Sequence, residues 1–383
     1  MATHVSKKQR NSSIELLRII AMFTILMHHF IVHNAYLADN MPAGAYRVVL
    51  QLMGGFGKAG VVTFFTISAW FFLDKEQTFR TNLRRIWLME RELLFWSILL
   101  ACFYLIFDRK DFGLSQIPKT VFPLGQGMWW YATAYAIFLA ILPALSAGLR
   151  AIGRRMHLTL AGILLVIYGL LSFVPGTGVP QLIDVFGFVY LFILISAYRW
   201  YFKPVTTRFI WMMLGAAAAI IAVYASLSTF LAYRGKYCGL FVTGSWKLPM
   251  VMIGIGVFLL FERKHFHSAF INRVAQSAFA VYLITDCGAS EQLLWHRLFN
   301  LEDLLQKPLP FLTIFVVLIA IYALCTILDL IRQVLFSMTF DRHRGKWFDL
   351  LWDGMRSNKL IQKCMNGISS WFVSSNASRN IIE

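Results

Sequence analysis

Apolar runs of about twenty residues, separated by short polar stretches, recur along almost the whole chain. A run of that length is what a helix needs to cross the hydrocarbon layer of a bilayer. The runs fall near 14–36, 58–74, 86–107, 129–149, 158–175, 182–201, 208–231, 240–262, 274–295 and 310–337. The pattern predicts an all-α integral membrane protein of about ten transmembrane helices. The second and ninth runs are the weakest, because glycines and polar residues interrupt them. Two segments lie outside the membrane domain at 13–337: a basic tail at 1–12, and a second basic tail at 338–383. In the second, Trp347, Phe348, Leu351, Trp352 and Met355 recur at helical spacing beside Lys346, Arg356 and Lys359, which predicts a helix lying on the inner leaflet.

Composition agrees with a chain dissolved in lipid. Of its 383 residues 58% are hydrophobic and 14% charged, whereas a soluble domain carries about a quarter charged. The net charge of +17 would suggest nucleic acid in a soluble protein, but the charges are placed otherwise. With the N-terminus inside and ten spans, most basic residues fall on one side. They include Lys7, Lys8, Arg10, Lys75, Arg80, Arg84, Arg85, Arg150, Arg154, Arg155, Arg199, Lys203 and the tail beyond Arg332. Short loops rich in Lys and Arg mark the cytoplasmic side. Both termini are therefore expected in the cytoplasm, with anionic lipid, and no nucleic acid, as the partner of this basic face. The first run carries Arg18, exceeds a signal-peptide core in length and lacks a cleavage site, so it should remain as an anchor. The five cysteines (Cys102, Cys238, Cys287, Cys325, Cys364) are scattered without a C-x-x-C pair and read as small packing residues. No metal site is expected.

Ionisable groups inside apolar spans are costly and so point to function. The first span, IELLRIIAMFTILMHHF, holds Glu15, Arg18, His28 and His29. At about 100° and 1.5 Å per residue, His29 sits roughly 20° off the face of Arg18 and about 16 Å further along. One stripe of one helix thus carries a cation near the inner surface and an imidazole deep in the membrane. Glu15 is three residues before Arg18 and can pair with it. His28 is turned away by about 100°. An imidazole titrates near neutral pH and can take the proton of an attacking hydroxyl; a buried histidine bonded to a backbone carbonyl is the bland alternative. The inner loop FRTNLRRIWLMERE places Arg80, Arg84, Arg85 and Arg91 where guanidiniums could hold the phosphates of a donor, or merely fix orientation. GKAGVVTFFTISAWFF brings Gly57, Gly60, Ser68 and Ala69 into a span and permits close helix approach. Trp129, Trp130 and Tyr131 open the fourth span as an interface belt or a sugar-stacking platform. Asp286, in AFAVYLITDCGASE with Tyr282, is an acid near the outer part of the ninth span.

These segments, taken in order, resemble the integral-membrane acyltransferases of type three, which acylate surface glycans and other extracytoplasmic acceptors. NSSIELLRIIAMFTILMHH is similar to the family's opening: an acid, an Arg three later, a His eleven beyond. GKAGVVTFFTISAWFF, MWWYATAYAIFLAILPAL, SWKLPMVMIGIGVFLLFERK and AFAVYLITD resemble its later signatures, so the likeness covers about residues 11–335. It implies an O-acyltransferase of the cell membrane that takes an acyl group, usually acetyl, from acetyl-CoA or another acyl-CoA and delivers it to a glycan hydroxyl. No bound cofactor is implied. His29 and Arg18 inherit the essential roles and Glu15 a supporting one. Arg80, Arg84, Arg85 and Arg91 fall in the donor-binding loop. His28, Ser68, Trp130, Tyr131, Tyr282 and Asp286 are expected to line the acceptor side. Ala69 stands where Gly is usual, and Thr285 where His usually precedes an acid. A different class, a transporter or flippase for a lipid-linked saccharide, would also place charges within spans, but no internal repeat is visible. A sugar-chain polymerase would ask for a large outer loop rich in Arg, whereas the outer loops here are short; Thr285 leaves open an inactive relative acting as a scaffold.

Overall fold

A computed structural model describes residues 10–34, 39–107, 116–174, 184–239 and 244–357, with the isolated positions 176, 177, 179 and 182. The tail segments 1–9 and 358–383, including Cys364, lie outside the described residues. Among these, every regular element is helical. The principal helices are α1 (Ser12–Val32), α2 (Ala45–Phe72), α3 (Phe79–Phe107), α4 (Trp130–Ala151), α5 (Gly153–Leu164), α6 (Asp184–Tyr201), α7 (Thr207–Tyr233) and α8 (Leu248–Glu262). They are followed by α9 (Ala269–Ala275), α10 (Ala278–Thr285), α11 (Pro310–Met338) and α12 (Lys346–Ser357). Five of them, α1, α2, α4, α7 and α11, are long and apolar enough to cross a membrane, and α8 is a shorter apolar helix. Several others deviate from one unbroken apolar helix. The first turns of α3 carry Arg80, Arg84 and Arg85; α5 passes into a π-helical turn at Leu165–Leu170; and the ninth run breaks after Thr285, as its glycine and polar residues foretold.

Hydrogen bonds and ion pairs between helix ends pin the bundle. At the Ser12 end, the N-cap Asn11 accepts the backbone N–H of Ser13 and donates to the carbonyl of Lys264 at 2.8 Å. The Ser12 hydroxyl donates to Asn272 at 2.8 Å and that of Ser13 to the carbonyl of Phe261 at 2.8 Å. Arg199 of α6 binds Asp74 just past α2, and Arg263 past α8 donates to Thr207 at 2.7 Å. At the opposite end, fully buried Arg47 and Gln51 of α2 reach Ser228 of α7 at 3.2 and 3.1 Å. Each bond satisfies a polar group that lipid could not.

The α1–α2 contact is close for a reason written in the sequence. A Cβ on Gly57 would lie 2.0 Å from the His28 Cβ, and one on Gly60 would lie 2.3 Å from the Thr24 hydroxyl and 2.8 Å from the Ala21 carbonyl. Only glycine lets the two backbones approach this far. The principal core lies between α1, α2, α4 and α6, where Phe65, Phe138, Phe188 and Phe192 interlock, with Phe65 and Phe188 stacked at 4.5 Å. By contrast α7 and α11 turn most of their apolar surface outward: Val223, Phe230, Leu312 and Ile327 are all more than half exposed. Water would not tolerate such a surface on a monomer; hydrocarbon does.

Within the second tail Lys346–Ser357 is helical. Phe348 is buried, stacking on Trp352 at 5.9 Å and against Trp87 of α3 at 6.4 Å. Trp347, Leu350, Leu351 and Met355 are left exposed.

Candidate active site

The richest polar cluster in the interior gathers where α1, α2, α4 and α10 meet. His29 on α1 is 6% exposed, and its Nδ1 is buried with no hydrogen-bond partner among the described residues. That nitrogen faces Asp286 Oδ1 at 3.5 Å, a few tenths of an ångström beyond a hydrogen bond. Asp286 can reach it because α10 ends at Thr285 and the chain turns at Asp286 before a new helical turn, Gly288–Glu291, begins. Broken backbone at this depth is the usual way a bundle presents polar groups to an interior site. Tyr282, one turn earlier, lies against the His29 ring at 5.8 Å; its hydroxyl accepts the backbone N–H of Tyr131 at 3.3 Å and sits beside the Asp286 carboxylate. Lys58 of α2, half-buried, lies in electrostatic reach of His29 and Asp286.

Toward the Ser12 end the seam continues through tyrosines. Tyr131 stacks on Tyr135 at 5.9 Å and meets Tyr282 edge-on at 6.3 Å. Ser68 faces the Tyr135 hydroxyl, and both Arg18 and Arg85 lie in electrostatic reach of it. Arg18 is held by Glu15 at 2.7 Å, with 30% of its side chain exposed, so the expected pair forms and the cation keeps an open edge. Toward the other end His33 lies one turn beyond His29, its Nε2 3.6 Å from Asp286 and its Nδ1 3.6 Å from Glu291.

Several expected residues have other surroundings. His28 points away from the seam, its Nδ1 2.6 Å from the carbonyl of Gly54, the bland backbone-bonded arrangement. Trp130 is half-buried at the start of α4, edge-on to Tyr131 at 5.6 Å, while Trp129 is fully buried and donates to the Leu283 carbonyl at 3.1 Å. Both Trp129 and Tyr131 are thus interior groups. The four inner-loop arginines divide. Arg80 pairs with Asp349 at 3.0 Å and Asp353 at 3.6 Å, Arg84 with Asp349 at 3.6 Å, and Arg91 with Asp341 at 3.0 Å. All three carboxylates come from the segment after α11. Arg85 alone turns inward, donating to Gln77 at 2.8 Å and stacking over Phe72 at 4.7 Å.

His33, Glu291, Lys58 and Tyr135 escaped the sequence reading. The i, i+4 spacing of His29 and His33 on one face was a signal for the first; the others come from separate helices and had none. A second buried network was also unforeseen. Arg332 of α11 bonds Asp329 at 2.6 Å and Glu92 of α3 at 3.1 Å, and Gln333 donates to Asp329 at 2.7 Å.

His33, Asp286 and Glu291 are of the types that ligate metals, with ligand atoms within 4.8 Å of one another. The closest approaches put Asp286 and Glu291 at opposite ring nitrogens of His33. The arrangement is that of a carboxylate–imidazole chain. Thr285 is fully buried and donates its hydroxyl to the Val281 carbonyl at 2.8 Å, so it adds no group to the seam; the acid beside it does.

An interior seam with a histidine, a carboxylate and arginines lies within a bundle that turns apolar faces outward, the architecture of a multi-pass membrane protein. A family model for the type-three acyltransferase domain matches residues 11–330, and the chain belongs to that family. No curated protein and no solved structure matches it.

Proposed function

We propose that this membrane acyltransferase is an O-acyltransferase of the cell membrane with ten spans and both termini in the cytoplasm. In this reading it moves an acyl group, acetyl in the simplest case, from cytoplasmic acetyl-CoA to a hydroxyl of a cell-surface or lipid-linked glycan. The observation that carries it is His29: a buried imidazole with Nδ1 aimed at Asp286, on the same helix as an arginine that keeps an open edge toward the Ser12 end. With its proton on Nδ1, directed at the carboxylate, His29 leaves Nε2 free to accept a proton. A sugar hydroxyl is too weak an acid to attack a thioester unaided, and a placed base supplies about 10²–10⁴-fold. The hydroxyl oxygen bonds to the thioester carbon as its proton passes to Nε2; the carbon–sulfur bond then breaks, and the same proton goes to sulfur, so coenzyme A leaves as a thiol. Arg18 and Arg85 approach the seam from the donor side, where a planar guanidinium fits a phosphate or a polarised carbonyl. Ser68, Tyr131, Tyr135 and Tyr282 supply hydroxyls and ring faces along the path to the acceptor.

The test is acetyl transfer by the purified chain in lipid nanodiscs, from radiolabelled acetyl-CoA to the glycolipid fraction of the source membrane. Wild type should label the glycolipid, and His29→Ala should fall to background while retaining insertion and melting behaviour. Arg18→Lys should recover little activity, since a point charge lacks the planar fork. A His29→Ala variant with full activity would end this mechanism.

A further inference from the structure

We infer that the segment after α11, residues 341–353, forms a subsite for the nucleotide phosphates of the acyl-CoA donor, above all its 3′-phosphate. The inference rests on the acyl-transfer reading above and concerns a segment beyond residues 11–330 of the family domain.

A cavity of about 420 Å³ opens around the start of α12, with Arg342, His343, Arg344, Lys346, Asp349 and Asp353 in its wall. Its two acids are already answered from α3. Arg80 reaches Asp349 at 3.0 Å and Asp353 at 3.6 Å, and Arg84 reaches Asp349 at 3.6 Å. The side chains of Arg342, Arg344 and Lys346 are exposed and make no hydrogen bond or ion pair among the described residues. The cavity therefore keeps their positive charge for a ligand. A phosphate monoester carries about −1.5 to −2 charges near pH 7 and three acceptor oxygens, and guanidiniums grip such a group bidentately.

Contacts with α3 fix the segment in place. Arg84 donates to the Arg344 carbonyl at 2.8 Å, Arg91 pairs with Asp341 at 3.0 Å, and Phe348 is buried against Trp87. Between them Gly345 makes the turn at φ +82°, a conformation that favours glycine. The position of the cavity relative to the seam gives it a role. Arg84 and Arg85 are consecutive on α3 yet turn opposite ways. Arg84 meets the tail, whereas Arg85 turns inward over Phe72, in electrostatic reach of the same Tyr135 that Arg18 reaches. Arg344 in turn lies in electrostatic reach of Glu92, further along α3. A donor with its nucleotide phosphates in the cavity can lead its thioester arm past Arg85 into the seam that holds His29. The long pantetheine arm asks for such a two-part site, with charge at one end and a seam at the other.

The experiment uses the purified full chain in nanodiscs of zwitterionic phosphatidylcholine. Acetyl-dephospho-CoA, which lacks only the 3′-phosphate, is compared with acetyl-CoA as donor to the glycolipid fraction. Wild type should show a KM about tenfold or more higher for the dephospho donor with kcat little changed, because a contact made before reaction is lost. In the variant carrying Arg342→Gln, Arg344→Gln and Lys346→Gln that preference should shrink to about twofold or less, through a raised KM for acetyl-CoA. Adenosine 3′,5′-bisphosphate, titrated calorimetrically into the same discs, should bind wild type saturably and the variant about tenfold more weakly. The three side chains are exposed, so the two proteins should melt alike. Equal KM values for the two donors in wild type, or bisphosphate binding untouched by the variant, overturn the subsite. A variant that loses affinity only for phosphatidylglycerol vesicles, with donor kinetics unchanged, assigns the cations to lipid headgroups and overturns it too. Wild type that transfers acetyl from neither donor, yet binds the bisphosphate through these residues, sinks the acyl-transfer reading and leaves the phosphate site standing. Neither transfer nor bisphosphate binding sinks both.

Discussion

Gly57→Ala is the smallest change that should disable the site without touching it. The new Cβ would lie 2.0 Å from the Cβ of His28 and 2.7 Å from the carbonyl oxygen of Thr24. Carbon–carbon contact is comfortable at about 3.5–4.0 Å, so α1 and α2 must separate by roughly 1.5 Å. Neither obstacle is the far end of a flexible side chain; one is a Cβ and the other is backbone. Overpacking of this kind costs about 1–3 kcal/mol. The larger effect falls on function. His28, at the point of collision, is adjacent to His29, whose aim at Asp286 is already a few tenths of an ångström long. A misplacement of about 1 Å can cost 10²-fold in rate. The variant should therefore insert and melt a few degrees low, yet transfer acetyl roughly 10²-fold more slowly. Gly148→Ala, with nothing within 4 Å of the added carbon, is the matched control and should behave as wild type. The assay is acetyl transfer in nanodiscs beside a thermal melt of the same preparation. A Gly57→Ala enzyme of wild-type rate would refute the claim that close α1–α2 packing sets the position of His29.

Other expectations follow from the same geometry. Arg85→Gln should raise the KM for acetyl-CoA about tenfold or more with less change in kcat, whereas Arg80→Gln with Arg84→Gln should change it little, since those two are engaged by Asp349 and Asp353; equal effects in donor titrations would return Arg85 to a marker of orientation. His28→Ala should lose about 1 kcal/mol of stability with its bond to the Gly54 carbonyl and keep most of the activity; inactivity in the transfer assay would mean that the wrong histidine had been chosen. Arg332→Ala should cost about 3 kcal/mol, because Asp329 is fully buried and would lose its counter-charge; an unchanged melt would show the network to be dispensable. A reporter fused at Arg150–Arg155 should read the cytoplasm, and an external signal there would invert the side on which donor is bound.

What the sequence determined by itself is what depends on spacing along one helix. A helix repeats every 3.6 residues, so Glu15 and Arg18 had to meet and His28 had to face away from His29. Apolar runs of sufficient length had to form a lipid-facing bundle, since no other solvent accepts the surface of α7 and α11. Glycines at Gly57 and Gly60 announced a close contact without saying with which helix. The tertiary structure decided everything that required two helices at once. It brought Asp286 to His29 across 257 positions of chain, ordered His33 and Glu291 behind it, and turned Arg85 inward while the tail engaged Arg80, Arg84 and Arg91. It also moved Tyr131 from an expected interface to the core. The physical reason is that lipid supplies no hydrogen bonds: each buried polar group must find its partner on another helix, and which helix that is depends on packing that periodicity along one segment does not encode.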